Sequence, residues 1–222
     1  SFRKMENRKI WKNKYSRIPN NLISGCKVYV KNFDCVQESL YLSKSGRTLL
    51  LNMASYKRPG GGVRKGAMAQ EEEICRRSNL LKSLDNMAYP LAMNEYIYTS
   101  DVEIFKDSNY NMINGGFCDV ITIASVNLNN LPKPDNYNEI MRDIIDQIFK
   151  SAVDNNCVNV VVSAFGCGVF KNDPNEVSQM FVESINKYKG YFNNICFSIL
   201  NDRNSNGSNF EIFEKNIKNS FL

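Results

Sequence analysis

The chain of 222 residues contains no histidine. This absence excludes Ser-His-Asp and Cys-His catalysis, His-Glu-x-x-His metal sites and histidine general bases. It is the strongest exclusion that the sequence offers. Any catalysis therefore has to rest on carboxylates, lysine, tyrosine, cysteine, backbone amides or a carboxylate-bound metal.

Long hydrophobic runs and paired cysteines are also missing. No apolar run approaches the roughly 18 residues of a membrane span, and the basic N-terminus has no apolar stretch behind it, so we expect neither a membrane segment nor a signal peptide. The seven cysteines are dispersed without a Cys-x-x-Cys pair. That spacing predicts free thiols, packed as small hydrophobic side chains, in a reducing compartment. The expected setting is intracellular, either cytoplasmic or nuclear.

The positive charge is concentrated at the N-terminus. The net charge is +5, but residues 1–17 hold seven of the 28 basic residues and one of the 23 acidic residues. The rest of the chain is close to neutral, so its composition does not indicate a polyanion-binding surface. We interpret residues 1–24 as a basic arm or helix, with a helix over 3–17; contact with nucleic acid or a polyanionic polymer is the alternative.

Strand-like and helix-like segments alternate along the remaining residues. This alternation predicts a three-layer α/β fold whose mixed, mostly parallel central sheet is flanked by helices. Ligands in such sheets bind at the carboxyl ends of the strands. The segments that matter below are strands at Lys27 to Lys31, Thr48 to Ala54 and Val158 to Ala164, helices at Ala69 to Met87, Tyr137 to Asn155 and Pro174 to Tyr188, two short strands around a turn within Tyr96 to Phe105, and a loop or hairpin tip at Asn109 to Gly116.

A glycine-rich loop follows the strand at Thr48 to Ala54. Gly60, Gly61 and Gly62 are consecutive, and Gln-Glu-Glu follows at residues 70–72 after a spacer of residues 63–69. Glycines permit positive φ and a close approach to the main chain, and exposed amides can hold phosphate oxygens. Carboxylates on the following helix could then act on the group that is attached to the bound phosphate. The alternative is an acidic helix start with i,i+4 ion pairs, Glu72 with Arg76 and Glu73 with Arg77.

A second glycine loop lies between the strand at Val158 to Ala164 and the helix that Pro174 opens. Gly166 and Gly168 at that position suit pyrophosphate binding through backbone amides and the helix dipole. An ordinary strand-to-helix turn is the alternative. Cys167 has no base near it in the sequence, which does not favour a nucleophilic role.

Together these stretches resemble the bacterial-type poly(ADP-ribose) glycohydrolases, a family with a macrodomain fold whose signature is three glycines, a spacer of six to eight residues and Gln-Glu-Glu. The resemblance covers residues 28–200 and includes Leu51 to Ser55, Gln70 to Ser78, Tyr96 to Phe105 and Ala164 to Pro174. It implies that residues 25–222 form a macrodomain-like catalytic domain. This domain would hydrolyse ribose–ribose O-glycosidic bonds of poly(ADP-ribose) on ADP-ribosylated proteins, releasing ADP-ribose from chain ends without a metal or cofactor.

The resemblance also implies roles for individual residues. Glu72 would be the catalytic acid and base, and Glu71 would orient the ribose. One carboxylate would perform both proton transfers, because neighbouring helical residues point about 100° apart and do not form a facing pair. The implied substrate-binding residues are Gly60, Gly61 and Gly62 at the ribose and pyrophosphate, Gln70, Asn52 (structural or at the ribose), Gly166, Cys167, Gly168 and Val169 at the pyrophosphate, Phe170 near the distal ribose, and Asp34 at the adenine.

Several observations keep alternatives open. Asp34 is equally well placed as a helix N-cap. Ser163, Met53 and Ser55 depart from the residues common in the family, so a ribose hydrogen bond could be made differently. A macrodomain that binds ADP-ribose without turnover, and a hydrolase that removes single ADP-ribose units from protein or nucleic acid, are the competing functions.

Overall fold

The computed structural model describes residues 5–11, 22–201 and 208–222. Within these ranges it contains a seven-stranded mixed sheet with helices on both faces, which confirms the predicted fold class. The strands are β1 (Glu6–Trp11), β2 (Lys27–Lys31), β3 (Thr48–Met53), β4 (Glu95–Lys106), β5 (Met112–Ile123), β6 (Asn159–Val162) and β7 (Asn194–Ser198).

Six α-helices lie in the described residues. Local sequence accounts for their ends: the Asp34 and Asp173 side chains accept hydrogen bonds from backbone amides at the starts of α1 and α5, and Pro174 occupies the first turn of α5. The helices are α1 (Cys35–Ser43), α2 (Gln70–Arg77), α3 (Leu80–Leu84), α4 (Tyr137–Asp154), α5 (Pro174–Tyr188) and α6 (Asn209–Phe221).

The strand order is β1-β4-β5-β3-β6-β7-β2. The neighbours from β5 to β2 are parallel, whereas β4 pairs antiparallel with both β5 and β1. Central strands are covered on both faces, so β3 and β6 are almost entirely buried. The carboxyl ends of β2, β3, β6 and β7 consequently meet at one edge of the sheet.

Two hydrophobic cores lie on opposite faces of the sheet. The larger core contains α4, α5 and α6, with ring contacts such as Phe181 to Phe197 at 5.1 Å between centroids. The smaller core contains α1, α2 and α3. Of the helices in the described residues, none combines the length and apolar character needed to cross a bilayer.

The helix predicted over residues 3–17 is wrong where the structure describes it, because Glu6–Trp11 is a strand; residues 1–4 and 12–21 lie outside the described residues. Strand β4 would otherwise expose unpaired backbone groups, and β1 pairs with them. The Asn7 side chain adds hydrogen bonds to Thr99 and to the carbonyl of Ser83. The division of the chain at residue 24 stays a prediction.

The helix predicted over Ala69 to Met87 is interrupted. Ser78 leaves the helical conformation (φ −144°, ψ 175°) and pairs with Ile104 of β4, so α2 and α3 are separate helices. This tertiary pairing overrides the continuous helical pattern of the sequence. At its other end, α2 contacts the carboxyl end of β3, where Gln70 and Glu71 accept from the amides of Met53 and Ser55.

The segment predicted as two short strands is the single strand β4, which forms one long hairpin with β5. The predicted loop or hairpin tip is confirmed as a hairpin tip up to Asn111, whereas residues 112–116 belong to β5. Strand β4 is continuous, with a register shift between Thr99 and Val102 where Asp101 has φ 53°. The turn ends at Asn111, because the Asp107 carboxylate accepts from the amides of Asn109 and Asn111, and β5 begins immediately afterwards.

Candidate active site

A cleft of about 490 Å³ lies at the carboxyl edge of the sheet. It is lined by the loops that follow β2, β3, β5, β6 and β7 and by the start of α2. The strand order places these loops in a row, with the loops after β5 and β3 at one end and the loop after β2 at the other. The cleft is therefore elongated and brings together the two glycine loops that the sequence singled out.

The first glycine loop lies directly against the two carboxylates. Gly60 and Gly61 have positive φ values of 66° and 57°. A Cβ atom on Gly61 would lie 2.8 Å from Oε1 of Glu72 and 3.0 Å from Oε1 of Glu71. Gly61 therefore has to be glycine for its conformation and for its contacts. Gly61 and Gly62 line the cleft, whereas Gly60 packs beneath it against Leu81 and Val63.

Glu72 is held by the glycine loop through one oxygen. Its Oε1 accepts a hydrogen bond from the amide of Gly62 at 2.9 Å. The residue is 7% exposed, and its Oε2 is buried without a hydrogen-bond partner among the described residues. A buried polar atom without a partner is costly, so Oε2 is an acceptor that only a ligand or solvent can satisfy.

Glu71 is fixed through both oxygens. Its Oε1 accepts from the amide of Ser55 at 2.9 Å, and its Oε2 accepts from the side chain of Asn52 at 3.0 Å. Burial raises the pKa of Glu71 to about 7, against the opposing effect of these two hydrogen bonds. Glu71 and Glu72 are successive residues, yet both approach Gly61, so the expectation that they point apart underestimates how closely their carboxylates meet.

Asn52 and Gln70 act on the protein itself. The Asn52 side chain is fully buried and donates to Glu71 and to Thr122 at 3.1 Å, which supports its structural role over a ribose contact. Gln70 lines the cleft, but its side-chain amide accepts from Met53 N at 2.7 Å and donates to Leu51 O at 2.6 Å. These backbone groups belong to residues of β3 that lie beyond its last pair with β6. The Gln70 side chain therefore satisfies the backbone groups of β3 that β6 does not reach.

The second glycine loop is shaped by two residues that the sequence analysis missed. Gly166 has φ 73°, and a Cβ atom there would lie 2.4 Å from the Ser125 hydroxyl and 2.6 Å from Asn172 Nδ2. Asn172 is buried, donates to the carbonyls of Val126 and Gly166 at 2.8 Å each, and accepts from the hydroxyl of Tyr137. No sequence spacing connects these residues, because three separate elements supply them.

The predicted pyrophosphate residues separate into two groups. Gly166, Gly168, Val169 and Phe170 line the cleft. Cys167 is not among the lining residues; its side chain packs against the larger core. Burial raises the pKa of the Cys167 thiol, which removes any support for a nucleophilic thiolate.

Asp34 lies at the far end of the cleft. Its Oδ1 accepts from the amide of Gln37 at 2.8 Å, which confirms the N-cap interpretation. Its Oδ2 accepts from Nη1 of Arg77 at 2.6 Å, and the Arg77 side chain is fully buried. Because Asp34 also lines the cleft, an adenine contact is compatible with the N-cap and stays a prediction.

The i,i+4 ion pairs expected on α2 are wrong. Arg76 pairs with Glu73 at 3.4 Å and donates to the carbonyls of Val63 and Ala67, whereas Arg77 pairs with Asp34. The close approach of α2 to the glycine loop and to α1 offers these partners. Glu72 is consequently left without a guanidinium neighbour that would occupy its second oxygen.

Arg58 and Met68 line the cleft from either end of the first glycine loop, and both are exposed. The sequence analysis did not select them. The available signal was the local charge: residues 57–65 contain four basic residues and no acidic residue.

Comparison with known proteins shows which proteins this chain is similar to. The model of the microbial-type poly(ADP-ribose) glycohydrolase (PARG) catalytic domain matches residues 2–107. PARG from Deinococcus radiodurans, solved with ADP-ribose, is 26% identical over 87% of this chain and 85% of that chain, with a TM-score of 0.77. PARG from Thermomonospora curvata is 22% identical over 95% of this chain and 85% of that chain, with a TM-score of 0.79.

A second Thermomonospora curvata structure, bound to the inhibitor ADP-HPD, gives a TM-score of 0.79 at 23% identity over 94% of this chain and 84% of that chain. No curated protein sequence matches the chain. The fold and the paired glycine loops thus define a macrodomain-like α/β protein. The chain is similar to the bacterial-type PARGs, which confirms the resemblance seen in its motifs.

Proposed function

We propose that the protein hydrolyses ribose–ribose O-glycosidic bonds of poly(ADP-ribose) and releases ADP-ribose from chain ends. The match to the PARG catalytic model and the likeness to a PARG solved with ADP-ribose support the reaction. The elongated cleft supports ADP-ribose as the ligand class. Asp34 lies at one end and the carboxylates of Glu71 and Glu72 lie at the other, with glycine-loop amides that can bind phosphate between them.

The unpartnered Oε2 of Glu72 is the observation that carries the mechanism. It is the carboxylate oxygen at the glycine loop that the protein leaves free, since Oε1 is held by Gly62 and both oxygens of Glu71 are engaged. A positioned acid must lie within hydrogen-bond reach of the oxygen that it protonates. Glu72 is rigidly oriented and has one atom available for that contact.

In the proposed reaction, Glu72 donates its proton to the glycosidic oxygen as the bond from that oxygen to the ribose C1 breaks. The electron pair leaves with the oxygen, and positive charge develops on the ribose ring. The resulting carboxylate then takes a proton from the water that attacks C1. The products are ADP-ribose with a new hydroxyl at C1 and a shortened polymer, and Glu72 returns to its starting state.

Glu71 has a different task in this proposal. The amide of Ser55 and the side chain of Asn52 hold its carboxylate at the floor of the site, so it can orient the ribose hydroxyls. Its proximity to Gly61 and Glu72 also places it beside the positive charge that develops on the ring. Ser55, which departs from the family pattern, takes part through its backbone amide and retains this contact.

The decisive experiment compares wild type with Glu72→Gln on poly(ADP-ribose), with ADP-ribose affinity measured on both. We expect a fall in turnover of about 10²–10⁴-fold, the usual contribution of a positioned acid, with affinity retained. The glutamine carbonyl can still accept from Gly62, so the fold is preserved. If both proteins bind ADP-ribose and neither cleaves polymer, the protein is a reader or acts on another ADP-ribose linkage.

The product distribution tests the position of cleavage. Release of ADP-ribose alone from the first turnovers supports attack at chain ends, whereas oligomers among the first products contradict it. Activity on substrates carrying one ADP-ribose unit on protein or nucleic acid would identify the alternative hydrolase function. Polymer and the singly modified substrates are compared with the same protein and at equal concentrations of terminal ADP-ribose units.

We further propose that ADP-ribosylated proteins are the carriers of the substrate and that the setting is intracellular. All seven cysteines are free thiols, which supports a reducing compartment. A polyanion contact by the basic residues of the N-terminus belongs to the same proposal, and most of those residues lie outside the described ranges. Residue-specific crosslinking to polymer would test that contact.

A further inference from the structure

Exposed cations and one exposed apolar side chain surround the first glycine loop. Lys57, Arg58 and Lys65 are exposed, and Met68 is 68% exposed. Arg58 and Met68 also line the cleft. We call these four residues the basic rim.

The charges of the basic rim are available to a ligand. The neighbouring cations are already used: Arg64 pairs with Asp85 at 2.6 Å, and Arg76 pairs with Glu73. Within the described residues, no ion pair or hydrogen bond is formed by the side-chain cations of Lys57, Arg58 and Lys65, although the Lys57 ammonium lies 5.7 Å from the centre of the Tyr56 ring. The rim is therefore a concentrated positive patch on a body that is close to neutral.

The strand order gives the position of this patch relative to the scissile bond. The cleft runs from Asp34 after β2, past the loop after β6, to Glu72 beside the loop after β3. An ADP-ribose unit that lies along the cleft with its ribose at Glu72 fills that row of loops. The basic rim belongs to the loop after β3, so it lies where the other side of the broken bond must continue.

We propose that the basic rim is the binding subsite for the unit that stays on the polymer when ADP-ribose is released. This inference rests on the proposed function and extends it to the leaving group. That unit carries a diphosphate, which complements the three cations that form no ion pair within the described residues. It also carries a base, whose apolar face suits Met68. Arginine is the residue best matched to phosphate oxygens, because its guanidinium can donate two parallel hydrogen bonds.

The proposal predicts a substrate-dependent effect of charge reversal. Two substrates are compared: poly(ADP-ribose), and an aryl ADP-riboside whose phenol leaving group has no phosphate. The variant is Lys57→Glu with Arg58→Glu, and the matched control is Lys44→Glu with Lys215→Glu, two exposed lysines outside the cleft lining. We expect the ratio of kcat/KM on polymer to kcat/KM on the aryl substrate to fall about tenfold in the rim variant, mainly through KM, and to stay constant in the control.

Salt gives a second readout. Added salt screens exposed charges, so the polymer KM of wild type should rise with ionic strength more steeply than that of the rim variant. An unchanged ratio overturns the inference, as does an equal loss on both substrates, which would place the effect on the released unit. If charge reversal impairs folding, Lys57→Gln with Arg58→Gln tests the same ratio with a smaller expected fall of about threefold.

Failure of the proposed function is distinguishable from failure of this inference. If wild type cleaves neither substrate, the hydrolase proposal fails, and the rim is then tested by binding alone. In that measurement the rim variant should bind polymer more weakly than wild type does, whereas the two proteins should bind free ADP-ribose with similar affinity. Equal affinity of wild type and rim variant for polymer would overturn the inference whether or not the protein is an enzyme.

Discussion

The two ends of the sheet each bury a carboxylate, and they treat it in opposite ways. At the amino end, the Asp119 carboxylate accepts from five donors. They are Nε and Nη2 of Arg47 at 2.8 and 3.0 Å, the hydroxyl of Tyr98, the amide of Asp101 at 3.1 Å and the thiol of Cys157 at 3.6 Å. At the carboxyl end, Glu72 receives a single donor, and its other oxygen is buried without a partner in the described structure.

This difference teaches how one fold separates stability from chemistry. A buried carboxylate whose oxygens all accept hydrogen bonds stabilises the folded state, because removing it leaves its donors buried without an acceptor. A buried acceptor that is left free has an energetic cost, and such sites concentrate where a ligand completes the bonding. Replacing Asp119 should therefore change stability, and replacing Glu72 should change turnover.

The largest effect on stability is expected from Asp119→Ala. Loss of the carboxylate removes the acceptor of the Tyr98 hydroxyl and of the Asp101 amide, and each buried donor left without an acceptor costs about 1–3 kcal/mol. Arg47 is 38% exposed and keeps Asp101 as a partner at 3.7 Å, so it adds less. The matched control is Glu183→Ala, because Glu183 also receives Nε and Nη2 of an arginine, Arg142, but on the surface. Surface pairs contribute about 0–1 kcal/mol.

Urea unfolding of the two variants and of wild type measures this contrast. Turnover per folded molecule should stay near the wild-type value in Asp119→Ala, which is the reverse of the Glu72→Gln result. Equal free energies of unfolding for the two alanine variants would contradict the assignment of the amino end to stability.

A second effect is a pH dependence that belongs to Glu71. Burial raises the pKa of Glu71 from 4.5 to about 7 in the folded protein. Between these two values the folded protein retains a proton that the unfolded chain has released, so stability falls as pH rises from about 4.5 to about 7 and then levels off. The shift corresponds to on the order of 3 kcal/mol.

The measurement is the free energy of unfolding of wild type and Glu71→Gln between pH 4.5 and pH 8. Other carboxylates affect both proteins alike, so the difference between the two curves isolates Glu71. The stability of wild type relative to the variant should decline across that window. Parallel curves would show that Glu71 titrates normally and that its burial has little influence on its proton.

A smaller effect on stability distinguishes contact from conformation in the glycine loop. Gly61 and Gly66 both have positive φ, 57° and 81°, so alanine at either position costs about 1–2 kcal/mol of backbone strain. Only at Gly61 would the new methyl group meet the two carboxylates; at Gly66 nothing lies within 4 Å.

Activity then separates the two variants. Displacing catalytic groups by about 1 Å can cost about 10²-fold in rate, so Gly61→Ala should lose turnover while Gly66→Ala keeps it. Polymer hydrolysis with both proteins at equal folded fractions provides the comparison. Comparable activity in the two variants would mean that the carboxylates adjust to the methyl group at no cost.

Local sequence was sufficient for the elements whose ends are specified by neighbouring residues. Helix α5 begins at Pro174 and ends at Tyr188 as predicted, because Asp173 caps it and its buried stripe repeats at helical spacing. Strand β2 also has its predicted bounds. The glycine loops and Gln-Glu-Glu were predictable for the same reason: their spacing is short, and glycine has few explanations other than a turn or a close approach.

Tertiary structure decided which groups meet. Ser78 leaves its helix to pair with Ile104, Arg77 turns to Asp34, and Ser125 lies against Gly166; each of these pairings joins separate elements. Periodicity reports only which face of an element is apolar, so it could not assign these partners. The sequence by itself determined the two glycine loops, the carboxylates and their resemblance to the bacterial-type PARGs. The tertiary structure decided the rest. The strand order places Glu72 at one end of an elongated cleft, and among the described residues no donor lies within hydrogen-bond distance of its Oε2.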